Sequence, residues 1–315
     1  MKPRSKLKVF RNRAREFILK LFPQQIAHWW IRKSLDLSIA QRSTQIRFEI
    51  ASNAQDLKQA LSLVQRNFER EGYATRDSAG IRLTPYHILP ETVVIVAKLD
   101  GQIVATISII PRTAFGVPID RCVSLDSVRG IKGRVVEISS LAVDPSIRGV
   151  QGEVLFNLMK YMYHCNIDVL KANTEVIGVN PKMSPLYEAI LLFKRIPGTQ
   201  TLSYDFANGA PVIPMYFDLD SALKAYGTAY AGYPSRQNVM EFFLAEPPAY
   251  FSLPQSEALD RVLPQRNSSQ LREVLESKPE LLPSFTADQL STLLQLYHPW
   301  PECADVIQEF ANAQR

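Results

Sequence analysis

Cysteine is scarce in this chain: Cys122, Cys165 and Cys303 are the only three among 315 residues. Odd in number and widely spaced, they supply neither a disulfide framework nor paired metal-type spacing, and they fit a reducing cytoplasm. The four histidines (His28, His87, His164, His298) have no Cys or Asp partner at ligand spacing. That argues against a metal centre, and no local signature of a Ser- or Cys-based covalent mechanism is present either. No apolar run approaches the roughly 18 residues of a membrane-spanning helix. An uninterrupted apolar stretch followed by a small-residue cleavage site, the mark of a signal peptide, is also missing. There is no internal repeat and no low-complexity tract. With 46% hydrophobic and 21% charged residues, the composition is that of an ordinary globular protein with a sizeable core.

The net charge of +5 is unevenly spread. Residues 1–45 carry eleven Lys or Arg against Glu16 and Asp36, a net of +9, and the remainder is net −4. Within this basic arm Leu7, Phe10, Ala14, Phe17, Ile18, Leu21 and Phe22 recur at helical spacing until Pro23, and Ile26, Trp29, Trp30 and Ile31 follow. Such a helix packs on the chain's own core, lies on an anionic membrane surface, or meets an acidic partner. Nucleic acid fits less well, because no recognition motif accompanies the charge. The expected location is cytoplasmic, with peripheral contact to the inner face of the membrane left open by the arm.

From residue 46 the pattern alternates. Ile46–Ile50 reads as a strand, and Asn53 or Asp56 caps a helix bearing Leu57, Ala60, Leu61, Val64 and Phe68 that ends near Gly72. Val93–Lys98 and Ile103–Ile110, joined by Asp100-Gly101, make a hairpin. The stretch from Pro111 to Lys132 is breaker-rich. Val135–Val143 reads as a buried strand, and Val154, Leu155, Leu158, Met159, Met162 and Cys165 share one helical face. Glu175–Val179 is a further strand, Pro185–Leu192 a helix with Pro in its first turn, and Leu202–Phe206 and Val212–Asp218 close around Asn208-Gly209. Beyond about 220 the chain reads as helices with Pro-rich joints. Asn267 with Gln270 and Thr286 with Gln289 have capping-box spacing. The expectation is an α+β fold, a mixed twisted sheet flanked by helices. It divides into a basic N-terminal helical arm (1–45), a core (46–219) and a C-terminal helical extension (220–315).

One residue in the fourth strand is out of character. Glu137 stands among Val136, Ile138, Leu141 and Ala142, and a carboxylate buried there costs free energy unless it is hydrogen-bonded or paired. Desolvation raises its pKa toward neutrality, which suits a proton acceptor. The alternative is an edge-facing Glu paired with a neighbour such as Arg134. After the strand, Arg148, Gly149 and Gly152 open the next helix, where free N–H groups favour an anion.

From about 46 to 218 the chain resembles GNAT-type acyltransferases and, within them, the N-acyl amino acid synthases of the FeeM type, relatives of acyl-homoserine lactone synthases. The resemblance rests on Glu71-Gly72-Tyr73, the Pro90–Ile110 hairpin, Val136-Glu137-Ile138-Ser139 leading to Leu141-Ala142-Val143, and Val179-Asn180-Pro181 with Leu186-Tyr187. It implies a GNAT-like sheet and an enzyme that moves a long fatty acyl chain from acyl carrier protein to the amino group of an amino acid or related amine. Glu137 is then the base, and the Tyr187 hydroxyl protonates the leaving thiolate. Leu141, Val143, Arg148, Gly149, Gly152 and Asn180 hold the phosphopantetheine, and Tyr73, Arg76, Thr84 and Ser139 serve the acceptor. No tightly bound cofactor and no metal are implied; the acyl-phosphopantetheine thioester of acyl carrier protein, or acyl-CoA, is a co-substrate. The chain departs from the pattern at two places. The glycines after Arg148 are displaced by one residue from the signature that holds a CoA pyrophosphate. Ser140 also stands where relatives tend to carry Arg, which weakens any ion pair to Glu137. A CoA-dependent N-acetyltransferase and a non-catalytic acyl-binding module remain as rival readings.

Overall fold

The computed structural model describes residues 23–41, 45–147, 150–255 and 258–313. The helix read from Leu7 to Phe22 lies outside the described residues, as do Arg148 and Gly149.

The strands are β1 (Ile46–Ile50), β2 (Val93–Leu99), β3 (Gln102–Pro111), β4 (Val135–Val143), β5 (Thr174–Val179), β6 (Lys194–Arg195), β7 (Leu202–Tyr204), β8 (Ala210–Asp218) and β9 (Phe251–Ser252). The longer helices are α1 (Gln24–Lys33), α2 (Ala54–Glu71), α3 (Gln151–His164), α4 (Ser184–Ile190), α5 (Ala222–Ala229), α6 (Val239–Leu244), α7 (Ser268–Glu276), α8 (Ala287–Leu296) and α9 (Pro301–Asn312). The sheet runs β6-β8-β5-β4-β3-β2-β1-β9, with β7 on β8. Its pairings are antiparallel except β4–β5 and β1–β9. This is the mixed, helix-flanked GNAT-like sheet that the resemblance implies.

Local chemistry explains the boundaries. Asn53 Oδ1 accepts from the Asp56 N–H at 2.8 Å to start α2, and Gly72 ends it in the left-handed region at φ 78°. Asp100 (φ 50°) and Gly101 (φ 76°) make the tight turn between β2 and β3.

Alternation along the strands feeds two cores, one on each face. On the first, Val94, Val96, Ile110, Val135 and Val176 meet Leu57, Leu61 and Val64 of α2 together with Leu271, Leu275, Leu293, Tyr297 and Ile307 of the C-terminal helices. On the second, Ile95, Ile107, Ile109, Val136, Ile177 and Met215 meet Leu158 and Tyr161 of α3, Tyr226 and Phe243. Each fully buried aliphatic side chain contributes about 1.5–3 kcal/mol as an upper bound.

The described residues beyond 220 pack into both of these cores. The Gln270 side chain shows this directly. Its Oε1 accepts from the Ala54 N–H at 2.6 Å and so caps α2 instead of completing a capping box at its own helix. Thr286 and Gln289 do form their box. The described part of the N-terminal segment is packed as well. Leu35 and Leu37 are buried in the second core, and Arg32 Nε donates to the Ala189 carbonyl at 2.7 Å.

Candidate active site

The β4–β5 ladder is short. It pairs Val135, Val136 and Glu137 with Thr174, Glu175 and Val176 and goes no further, although β4 runs on to Val143 and β5 to Val179. The two strands splay apart beyond Glu137, so neither supplies the other with ladder partners there. A cavity of about 350 Å³ occupies the opening. Its lining includes Tyr73, Phe206 and Val212, which belong to the first core, and Met159, Ile177 and Phe193, which belong to the second. The cavity thus passes through the sheet from one face to the other, at the low end of the roughly 300–1,000 Å³ typical of ligand pockets.

Across from the splay, β4 carries a bulge. Ser139 opposes Ser108 and Ala142 opposes Thr106, so Ser140 and Leu141 face one residue of β3. Ser140 takes up the extra length at φ 54°, an uncommon conformation for a non-glycine residue. Its hydroxyl lies 3.4 Å from His87 Nε2. His87 Nδ1 accepts from the Thr84 N–H at 3.2 Å, which leaves the ring proton on Nε2, toward Ser140. Full burial and the nearby Arg82 push the His87 pKa down to about 3, so the ring is neutral.

Glu137 stands where the ladder ends, 1% exposed. Oε2 accepts from the Ile119 N–H at 2.7 Å and Oε1 from the Tyr204 hydroxyl at 3.2 Å. Neither partner is a cation, and Arg134, the neighbour considered from sequence, pairs with Glu91 instead. Burial raises the Glu137 pKa to about 8, against the lowering effect of those two hydrogen bonds. The Ile119 amide is presented by a short 3₁₀ turn, Pro118–Arg121, in the breaker-rich segment. Asp120 fixes that turn by accepting from the Val117 N–H and Arg112 Nε, both at 3.0 Å. Beside it, a Cβ on Gly178 would lie 2.9 Å from Val212 Cγ2 and 3.3 Å from Ile119 Cδ1. Only glycine fits there without disturbing the support of Glu137.

Tyr187 lines the same cavity from the opposite side, packed edge-on against Phe193 with ring centroids 6.0 Å apart. Burial raises its phenol pKa. Ser139, Leu141, Tyr73 and Asn180 also line the cavity, and two of these meet: Asn180 Nδ2 donates to the Tyr73 hydroxyl at 2.8 Å. Residues read as donor-binding and acceptor-binding therefore form one pair.

Other expected residues lie elsewhere. Val143 is outside the cavity lining, and Gly152 is packed against Ile39, where a Cβ would come within 2.8 Å. Arg76 is exposed and lines neither this cavity nor its neighbour. Thr84 lines the neighbour, an opening of about 260 Å³ that shares Tyr73 and Phe206 with the first. Sequence reasoning missed Tyr204, His87, Ile119 and Arg82. Tyr204 and Ile119 come from segments with no site signature, and Arg82 and His87 flank Thr84 without a pattern that marks them.

The model of the family N-acyl amino acid synthase FeeM matches residues 59–218 of the 315. The chain belongs to the FeeM N-acyl amino acid synthase family. It is accordingly an acyltransferase. Among solved structures it is similar to FeeM, an N-acyl amino acid synthase from uncultured soil microbes, at 22% identity and TM-score 0.49, over 57% of this chain and 93% of that one. The acyl-homoserine lactone synthase LasI is 14% identical with TM-score 0.45, over 60% and 96%. The CoA-dependent acyl-homoserine lactone synthase BjaI is 16% identical with TM-score 0.48, over 69% and 98%. Curated proteins gave no match.

Among the described residues, no group of His, Cys, Asp and Glu is arranged to hold a metal ion, and no helix is long and apolar enough to cross a membrane.

Proposed function

We propose that this FeeM-family enzyme transfers a long-chain fatty acyl group from the phosphopantetheine thioester of an acyl carrier protein to the amino group of an amino acid or related amine. The observation that carries the reading is a protonatable carboxyl, Glu137, buried at the splay of β4 and β5 inside a cavity open to both faces of the sheet.

The two faces divide the labour. Glu137 and Tyr204 belong to the α2 side, and Tyr187, Met159 and Met162 to the α3 side. The thioester enters from the α3 side, where apolar and adaptable methionine side chains suit an alkyl chain. The amine approaches Glu137 from the other. Its nitrogen attacks the thioester carbonyl, and Glu137 in its carboxylate form takes the proton the nitrogen must lose. Backbone N–H groups of the splayed β4 edge polarise the carbonyl oxygen. As the C–S bond breaks, the thiolate takes a proton from the Tyr187 hydroxyl, so the products are an amide and a free thiol. In water a phenol and an alkyl thiol are closely matched in pKa, and the burial that raises the Tyr187 pKa disfavours the thiolate in the same apolar cavity as well.

The choice of carrier protein rests on the sequence. The glycines after Arg148 are displaced from the pyrophosphate signature, and the +9 charge of residues 1–45 suits an acidic carrier. That charge, with Trp29 and Trp30 exposed side by side, also suits an anionic membrane receiving an amphiphilic product. The test is kcat/KM for acyl carrier protein and CoA donors of one chain length, read by mass spectrometry of the N-acyl product. The carrier-protein donor is expected to win by an order of magnitude or more; an equal or better CoA donor overturns that choice. Salt-dependent co-sedimentation with anionic vesicles checks the membrane contact, and loss of dependence on anionic lipid removes it.

A further inference from the structure

Side chains alternate along a strand, so Ser140, three residues after Glu137, would point to the opposite face of the sheet if β4 were regular. The bulge undoes that reversal. Ser140 Oγ lies 3.4 Å from Nε2 of His87, whose neighbours Tyr86 and Ile88 belong to the first core. Glu137 is held by Ile119 and Tyr204 of that same core. Both side chains therefore reach the α2 face, and both residues line the catalytic cavity.

The Ser140 hydroxyl has a hydrogen left to give. The Thr84 N–H occupies His87 Nδ1, so Nε2 keeps the ring proton and donates it to Ser140 Oγ. An oxygen that accepts from the imidazole still carries its own donor. Among the described residues Ser140 makes no other side-chain hydrogen bond, and at 4% exposure it has little bulk water to turn to. A buried donor without an acceptor costs free energy. On a cavity wall, a substrate oxygen relieves that cost.

We propose that Ser140 is a catalytic residue whose hydroxyl, oriented by His87, donates to the thioester oxygen as negative charge develops there. The inference rests on the acyltransfer reading above and adds a side chain to the backbone N–H groups of β4. Three residues of strand span up to about 10 Å, the scale of one tetrahedral centre hydrogen-bonded at roughly 3 Å on either side. Glu137 takes the proton from the nitrogen at one end, and Ser140 meets the oxygen at the other. The hydroxyl proton stays on Ser140 throughout, and the oxyanion returns to a carbonyl as the thiolate departs. His87 touches no substrate and is a positioning residue. With Nδ1 occupied and the proton on Nε2, it has no lone pair with which to deprotonate Ser140, so no acyl-serine forms.

The experiment measures kcat, both KM values and the pH profile of the full-length enzyme with a long-chain acyl thioester and an amine it accepts. Ser140→Ala and Ser140→Gly are each expected to lower kcat by about 10²-fold, the scale of one oxyanion donor, with KM values held within about three-fold. The ascending limb set by Glu137 is expected to stay in place. Glycine is at ease at positive φ, so its loss of rate does not come from backbone strain. His87→Gln is expected to add less than about three-fold to Ser140→Ala, because it acts only through that hydroxyl. A full additional loss there overturns the role given to His87, and if the double variant does not fold the two single Ser140 variants decide. Wild-type kcat in either of them, a loss carried by the acceptor KM, or a displaced limb overturns the inference and leaves the acyltransfer reading standing. No acyl transfer by the wild-type enzyme from any thioester overturns the acyltransfer reading and this inference with it.

Discussion

The Tyr204 hydroxyl donates to Glu137 Oε1 at 3.2 Å across 67 positions of sequence. Burial and the neighbouring Glu137 hold the phenol pKa well above 10, so Tyr204 stays the donor and favours the carboxylate form of its partner. Without that bond the carboxylate is harder to form.

Tyr204→Phe therefore has a defined kinetic signature. A hydrogen bond to a charged group contributes about 1.5–3 kcal/mol, and 1.4 kcal/mol corresponds to about one pH unit. The ascending limb of the pH–rate profile is expected to move up by about one unit or more, with the high-pH plateau preserved within a few-fold. A limb that stays in place removes Tyr204 from the support of Glu137.

Protein stability should respond to the same carboxyl in the opposite sense. Glu137 holds its proton up to about pH 8 in the folded chain and loses it near 4.5 when unfolded; Glu175 is raised to about 7 by burial. Between the unfolded and folded values the unfolded state binds fewer protons, so stability falls as pH rises. The slope is at most about 1.4 kcal/mol per pH unit for each group. Urea titrations from pH 5 to 9 are expected to show this decline and to show it reduced in Glu137→Gln. A pH-independent difference between the variants would mean that Glu137 titrates normally.

Much of the sheet was legible because its signals are local. Asn53 and Gly72 bound α2, Asp100-Gly101 turns the hairpin, and alternation marks β4. Glu137 stood out for a similar reason, as one carboxyl in an apolar run. The partners of Glu137 were not legible, because burial and hydrogen bonding there join segments that only the folded sheet brings together. Ile119 comes from a stretch with no periodicity, and Tyr204 from a strand whose aromatic alternation reads as core. The backbone N–H of Thr84 fixes the His87 tautomer beside Ser140, a task that its place among the expected acceptor residues does not signal.

Ser140 provides a test of the bulge. At φ 54° a β-branched side chain is strained, whereas glycine is at ease. Ser140→Val is expected to cost about 1–3 kcal/mol and to lower turnover by displacing the β4 edge. Ser140→Gly is expected to keep stability within about 1 kcal/mol of the wild type. Equal stability of the two variants would show that the bulge is not held at this residue.

The N-terminal segment can be judged by truncation and packing. Leu37 is 3% exposed in the second core, so Leu37→Ala is expected to cost about 2–5 kcal/mol. Deletion of residues 1–45 removes Leu35, Leu37 and the Arg32 contact to α4 along with the basic charge, and is expected to lower the melting temperature. A deletion variant that melts with the full chain would show that residues 24–41 are dispensable to the fold.

Replacing the Glu137 carboxyl by an isosteric amide tests the central claim most directly. Glu137→Gln removes the proton acceptor while leaving shape and burial nearly unchanged. kcat for acyl transfer to an amine, measured from pH 6 to 10 on protein shown to be folded, is expected to fall by about 10²-fold or more. The ascending limb near pH 8 should vanish with it. A folded variant that keeps the wild-type rate and the same limb would contradict Glu137 as the base.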